Sequence, residues 1–167
     1  MVGTLFYVAM MIGLHARAAL EDRTLATLGV ALSVMAAIVD YFVQLAVIQP
    51  SILAGQTDGI PLLTQYNPQG VFIALEELGY LLMSLSLACL APTIPPSTRL
   101  ERIVRRLFVG GPVLNALALA VIALRFGHSR GYLLEVALIS INWLVLVVAG
   151  FMLAAVFRGS VPRSASV

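Results

Sequence analysis

The sequence predicts an all-α integral membrane bundle of about five transmembrane helices. Three observations predict it. Of the 167 residues, 60% are hydrophobic and only 11% are charged, against roughly 25% charged in a soluble domain. Mean hydropathy is +1.00, and the apolar residues gather in long charge-poor runs, as expected of spans of about 20 residues. All ten basic residues are Arg, and they lie between those runs or at their ends, where charge sets the orientation of membrane helices. This composition excludes a disordered chain and an ordinary soluble domain. The length fits a single transmembrane domain, with no room for a separate soluble one.

The first span is expected over residues 2–20. The apolar run from Val2 to Leu14 is short, and reaches spanning length only if Arg17 snorkels from a continuing helix. Met1-Val2-Gly3-Thr4 has no basic residue, which argues against a cleaved signal peptide. The second span covers 24–48 and stops at Gln49-Pro50. Its Gly29, Ser33 and Ala37 recur every fourth residue, a spacing that lets membrane helices approach closely. An outer loop follows over 49–67. It has no Arg and one acid, Asp58, yet holds Ile52, Leu53, Ile60, Leu62 and Leu63. Such a loop is too apolar to hang in water, so a lid over the bundle mouth is expected.

Asn67-Pro68 reads as an N-cap with proline in the first turn, opening a span over 68–91 that Pro92, Pro95 and Pro96 end. Thr98 and Glu101 have capping-box spacing, so a helix is expected from about Arg99, with its span over 103–125. A polar loop, 127–131, leads to the last span, 132–157, and a polar tail. The first and third loops and the C-terminal tail, which share a side, carry eight Arg together, and the second and fourth loops on the other side carry two. The expected topology is a multi-pass cell-membrane protein, N-terminus outside and C-terminus cytoplasmic.

Four acids lie in loops or at helix ends: Glu21, Asp22, Asp58 and Glu101. The other four, Asp40, Glu76, Glu77 and Glu135, lie inside apolar segments. An ionised acid at the bilayer centre costs roughly 2.5–3.5 kcal/mol, so each needs a partner or a purpose. No basic residue lies mid-span, and Arg125 is the nearest candidate. By helical rise, Asp40, Glu76 and Glu77 lie about 12–14 Å from the outer helix ends, Glu135 about 5 Å and Asn142 about 15 Å. One slab of the outer half therefore holds them all. Asp40 and Gln44 share a helix face, as do Glu77, Tyr80 and Ser84, and Glu135 and Asn142. Glu76 and Glu77 point about 100° apart, so one of them is expected to face the centre.

These residues form the expected site. Asp40, Glu76, Glu77 and Glu135 are candidate catalytic acids, since a neutral carboxyl beside an ionised one is what acid/base catalysis needs. Tyr41, Gln44, Tyr80, Ser84, Asn142 and Trp143 are candidate ligand-binding residues. A hydrogen-bonded polar network across helices would use the same residues without chemistry, and a proton or ion path is a third reading. No metal or cofactor is expected. Cys89 is the sole cysteine, and His15 and His128 are far apart in sequence. No P-loop, nucleophile elbow or HExxH motif is present. Glu76-Glu77 has the paired glutamates of intramembrane CAAX-type proteases, but Leu81 stands where those have Arg. The Arg cluster from Arg99 to Arg106 fits topology and anionic headgroups and not nucleic acid.

Three stretches resemble an uncharacterised family of small bacterial polytopic membrane proteins. They are Asp40-Tyr41-Phe42-Val43-Gln44 through Gln49-Pro50, Tyr66-Asn67-Pro68-Gln69-Gly70 through Glu76-Glu77-Leu78-Gly79-Tyr80, and Tyr132 through Glu135 to Trp143. That resemblance implies no activity. In layout alone the chain is similar to membrane-bound terpene cyclases and emopamil-binding-type sterol isomerases, which set carboxylates and aromatics inside a short bundle. The layout implies an enzyme or binding protein for an isoprenoid- or sterol-like ligand, of cyclase or isomerase type, with Tyr80 and Trp143 facing a carbocation. A proton-linked transporter or channel component, or a non-catalytic accessory subunit, is the alternative. Expected partners are a hydrophobic small molecule or lipid, the bilayer and a second copy in a homo-oligomer.

Overall fold

The computed structural model describes residues 2–40, 48–55 and 58–159. Those residues form an all-helical bundle, with no strand among them. The helices are α1 (Val2–His15), α2 (Arg23–Ala37), α3 (Gln49–Leu53), α4 (Ile60–Leu63), α5 (Val71–Leu90), α6 (Arg99–Phe126) and α7 (Leu133–Gly159). Four segments are long and apolar enough to cross a membrane: Arg23–Asp40, Val71–Thr93, Arg99–Phe126 and Leu133–Arg158. Many large apolar side chains face outward, including Leu28, Val113, Leu117, Val121, Leu144 and Phe151. An outward apolar surface of this extent is compatible with a multi-pass membrane protein.

The first helix falls short of the expected end at residue 20. After His15 the chain turns tightly, with Arg17 N–H donating to the Leu14 carbonyl and Ala18 N–H to that of His15. Arg17 does not snorkel from a continuing helix. Its guanidinium lies 4.0 Å from the centre of the Phe157 ring, a cation–π contact that replaces another helical turn. Tyr7 anchors α1 to α5, donating its hydroxyl to the Met83 carbonyl at 3.0 Å and touching the Ser86 hydroxyl.

Helix α5 is central, packing against α1, α2, α4, α6 and α7. Its tightest neighbour is α2. A Cβ on Gly29 would lie 3.0 Å from the Ser86 carbonyl and 3.1 Å from Cys89 Cβ. Gly29 and Ser33 are buried, so much of the small-residue stripe is used inside this chain. Helix α6 begins with the expected capping box. Glu101 N–H donates to Thr98 Oγ1, and Thr98 N–H donates to Glu101 Oε2 at 2.7 Å. It runs through Pro112 to Phe126 and stops at Gly127, whose φ of 51° favours glycine.

Asn67-Pro68 does not cap α5. Gly70 does, and Asn67 closes a turn ahead of it, accepting from Gln69 N–H at 3.0 Å while its Nδ2 donates to the Pro61 carbonyl. The side chain prefers this local turn to the helix end. It also ties α4 to the start of α5.

The core is uneven along the bundle. One large apolar cluster joins Met11, Leu87, Leu90, Val104, Phe108 and Ala149 toward the Arg-rich end. A small one, Ile48, Phe72 and Ile73 with Ile52, Leu63 and Leu75 against it, lies at the other end, under α3 and α4. Between them lies a polar layer.

Candidate functional site

Three helices supply the polar layer. The last described turn of α2's segment, residues 38–40, is π-helical, a widened turn that often occurs at functional sites. It delivers Asp40 against Gly79 of α5. A Cβ there would sit 2.6 Å from Asp40 Cγ, so glycine is what gives the carboxyl its place. Asp40 Oδ1 is buried without a hydrogen-bond partner among the described residues. Asp40 and Glu76 lie close enough to interact electrostatically, and Glu76 comes within hydrogen-bonding reach of Glu135 on α7. Glu76 on α5 thus lies between an acid of the α2 segment and one of α7.

Glu77 stays in electrostatic range of Glu135 but has a partner of its own. It turns about a quarter of the way round the helix from Glu76 and takes an ion pair from Arg130, Nη2 to Oε2 at 3.0 Å. The cation comes from the loop between α6 and α7, not from Arg125, which is exposed. Loop residue Gly131, with φ 52°, helps turn the chain so that Arg130 reaches back.

A cavity of about 470 Å³ opens beside the acids, lined by Gln65, Tyr66, Phe72, Ile73, Glu76, Tyr132 and Glu135. The segment between α4 and α5 roofs it. Tyr132 donates its hydroxyl to the Gln65 carbonyl at 3.2 Å, tying α7 to that roof. The roof only partly follows the expected lid. Ile52 and Leu63 pack inward, whereas Leu53 and Leu62 are exposed.

The other expected ligand residues lie around or below this cavity. Tyr80 is within reach of Asp40, Glu76 and Glu135, and its hydroxyl lies beside Trp143. Trp143 is half exposed, and its ring tip reaches Gly3 of α1. Ser84 and Asn142 are buried deeper. Asn142 Nδ2 donates to the Leu138 carbonyl at 2.9 Å, and Ser84 Oγ has no partner among the described residues. Tyr41 and Gln44 lie outside the described residues. Asn115 on α6 is a further buried amide that the sequence reading passed over, with neither side-chain atom hydrogen-bonded among the described residues. An amide in the middle of an apolar run was the signal for it.

A larger cavity, about 610 Å³, lies at the opposite end of the bundle, lined mainly by apolar residues with Arg17 and Glu101. Glu101 is engaged in the helix cap, so this cavity lacks a pair of facing acids. Among the described residues no group of three or more His, Cys, Asp or Glu side chains could hold a metal ion.

No family model, curated protein or solved structure matches the chain.

The arrangement sets two carboxyls, Glu76 and Glu135, at the wall of an open cavity whose lining mixes aromatic, apolar and polar side chains, with Asp40 in electrostatic range of Glu76. Such a wall can donate a proton to an apolar substrate and take one back, provided water is kept away.

Proposed function

We propose that this chain is an integral membrane protein that binds a hydrophobic ligand of isoprenoid or sterol type and acts on it by carboxyl acid/base chemistry, as a cyclase or isomerase. The observation that carries the reading is the facing pair, Glu76 and Glu135, at the wall of the 470 Å³ cavity. Two carboxyls in contact inside an apolar bundle are costly as a structural device. They are economical as a proton donor and acceptor that exchange roles. Glu76 would deliver the proton and Glu135 would take one back, with Asp40 in electrostatic range of Glu76. Phe72, Tyr80 and Tyr132 supply aromatic faces for a developing cation. Glu77, held by Arg130, would position α5 and not react.

In this reading the four long helices cross the bilayer, with the lid outside and the Arg-rich end and C-terminus in the cytoplasm. Helix α1, with 14 residues, extends about 21 Å and makes a fifth embedded helix that covers about two thirds of the hydrocarbon core.

The buried layer of Ser84, Asn115 and Asn142 favours the second reading, a proton-linked transporter, because it continues the polar track inward. Val104, Phe108 and Leu87 are fully buried beyond it and offer a proton no further group.

The test is conversion of a panel of linear polyprenyl alcohols, squalene-type hydrocarbons and Δ8 sterols by the purified protein in lipid nanodiscs, read by gas chromatography and mass spectrometry. The expected result is conversion of one class by the wild type, lost in Glu76→Gln and in Glu135→Gln and retained in Glu21→Gln. Equal conversion by all four proteins would sink the acid/base role.

A further inference from the structure

The Arg-rich end carries a second groove. Arg102, Arg105, Arg106, Val109 and Gly110 of α6 line it together with Pro96, around a volume of about 510 Å³. Their spacing places all five α6 residues on one helix face. Orientation of the chain accounts for the number of arginines. It does not account for their convergence over one groove. No carboxylate pairs with Arg102, Arg105 or Arg106 among the described residues, and the adjacent Glu101 is spent on the helix cap. The floor is Gly110, where a Cβ would meet no atom within 4 Å. From Val109 an exposed apolar stripe runs along the same helix through Val113, Leu117 and Val121.

We propose that this groove is a binding site for an anionic phospholipid, with the headgroup phosphate on Arg102, Arg105 and Arg106 and an acyl chain lying over Gly110 along the stripe. Guanidinium forks match phosphate oxygens in geometry and charge. The polar-to-apolar order along α6 matches that of a lipid entering from the headgroup region. The site rests on membrane insertion but not on the carboxyl pocket, which lies at the other end of the bundle.

The test is native mass spectrometry of the detergent-purified protein with dioleoyl phosphatidylglycerol, with dioleoyl phosphatidylcholine, and with phosphatidylglycerol plus millimolar inorganic phosphate. The wild type is expected to prefer phosphatidylglycerol. Each basic residue near an anionic headgroup accounts for about a fivefold change in binding, so Arg102→Gln/Arg106→Gln is expected to weaken it roughly twentyfold or more. The control pair Arg23→Gln/Arg158→Gln removes the same charge elsewhere and is expected to leave it unchanged. Gly110→Leu keeps every charge, meets open space and fills the groove, and is expected to abolish the preference over phosphatidylcholine. The proposal fails if both double variants lose binding equally, if Gly110→Leu binds as the wild type does, or if neither lipid is preferred. Displacement of phosphatidylglycerol by inorganic phosphate would reassign the groove to a soluble anion and overturn the lipid.

Discussion

Glu77 is 8% exposed, with Arg130 on one carboxylate oxygen and no partner among the described residues for the buried other. Removing the cation leaves a buried charge alone, which is worse than having no pair at all. Arg130→Gln is therefore expected to destabilise by about 3 kcal/mol, the low end for a buried pair because the Arg130 side chain keeps 28% of its exposure. Arg130→Gln/Glu77→Gln should recover most of that loss, as followed by thermal unfolding in detergent. Equal loss in the single and double variants would show that the pair does not matter. At this scale the acids stood out in the sequence because charge is rare in apolar runs. Their partners did not. Arg130 lies 53 residues from Glu77, in a loop whose path depends on the turn before α7. Gly79 showed no sign of its role either, since its lack of a side chain matters only once Asp40 is opposite.

The crossing of the α2 segment over α5 is built on two glycines, Gly29 near one end and Gly79 at the site. Gly29 belonged to a legible pattern, a small residue every fourth position, and it packs α2 against α5. Gly79→Ala is expected to push the Asp40 carboxyl out of its place and cost about 1–3 kcal/mol. Asp40→Ala removes the obstructing group, so Gly79→Ala should cost much less in that background. A double-mutant cycle of unfolding free energies measures the coupling. Additive effects would mean that the two positions do not touch. Helices α5, α6 and α7 could be read from the sequence because proline, glycine and a capping box punctuate long apolar runs. The end of α1 could not, because it turns on a long-range contact, Arg17 on Phe157. The start of α5 was displaced for a local reason, the competing turn at Asn67.

For the whole molecule, orientation follows from charge. Six of the ten arginines, Arg17, Arg23, Arg99, Arg102, Arg105 and Arg106, lie in the segments joining α1 to α2 and α5 to α6 or in the first turns of the helices they lead into. These are expected in the cytoplasm. A C-terminal green fluorescent protein fusion should fluoresce, and alkaline phosphatase inserted in the loop over 127–131 should be active. The reverse pattern would invert the topology and move the carboxyl cavity to the cytoplasmic side. The helical bundle and its four helices of spanning length were legible because hydropathy acts over whole segments. The ligand was not, since a cavity's shape arises only where several helices and a lid meet.

The central claim is that Glu76 and Glu135 form one reactive pair facing the aromatic-lined cavity, while Glu77 is a structural ion pair. Labelling by the apolar reagent dicyclohexylcarbodiimide in a lipid bilayer, followed by peptide mass spectrometry, tests it most directly. The reagent should enter the cavity and modify Glu76 or Glu135, with no molecule carrying both adducts because the first fills the shared space. Glu77, held by Arg130, should remain unmodified. Modification of Glu77 with Glu76 and Glu135 untouched, or of both members of the pair on the same molecule, would contradict the account.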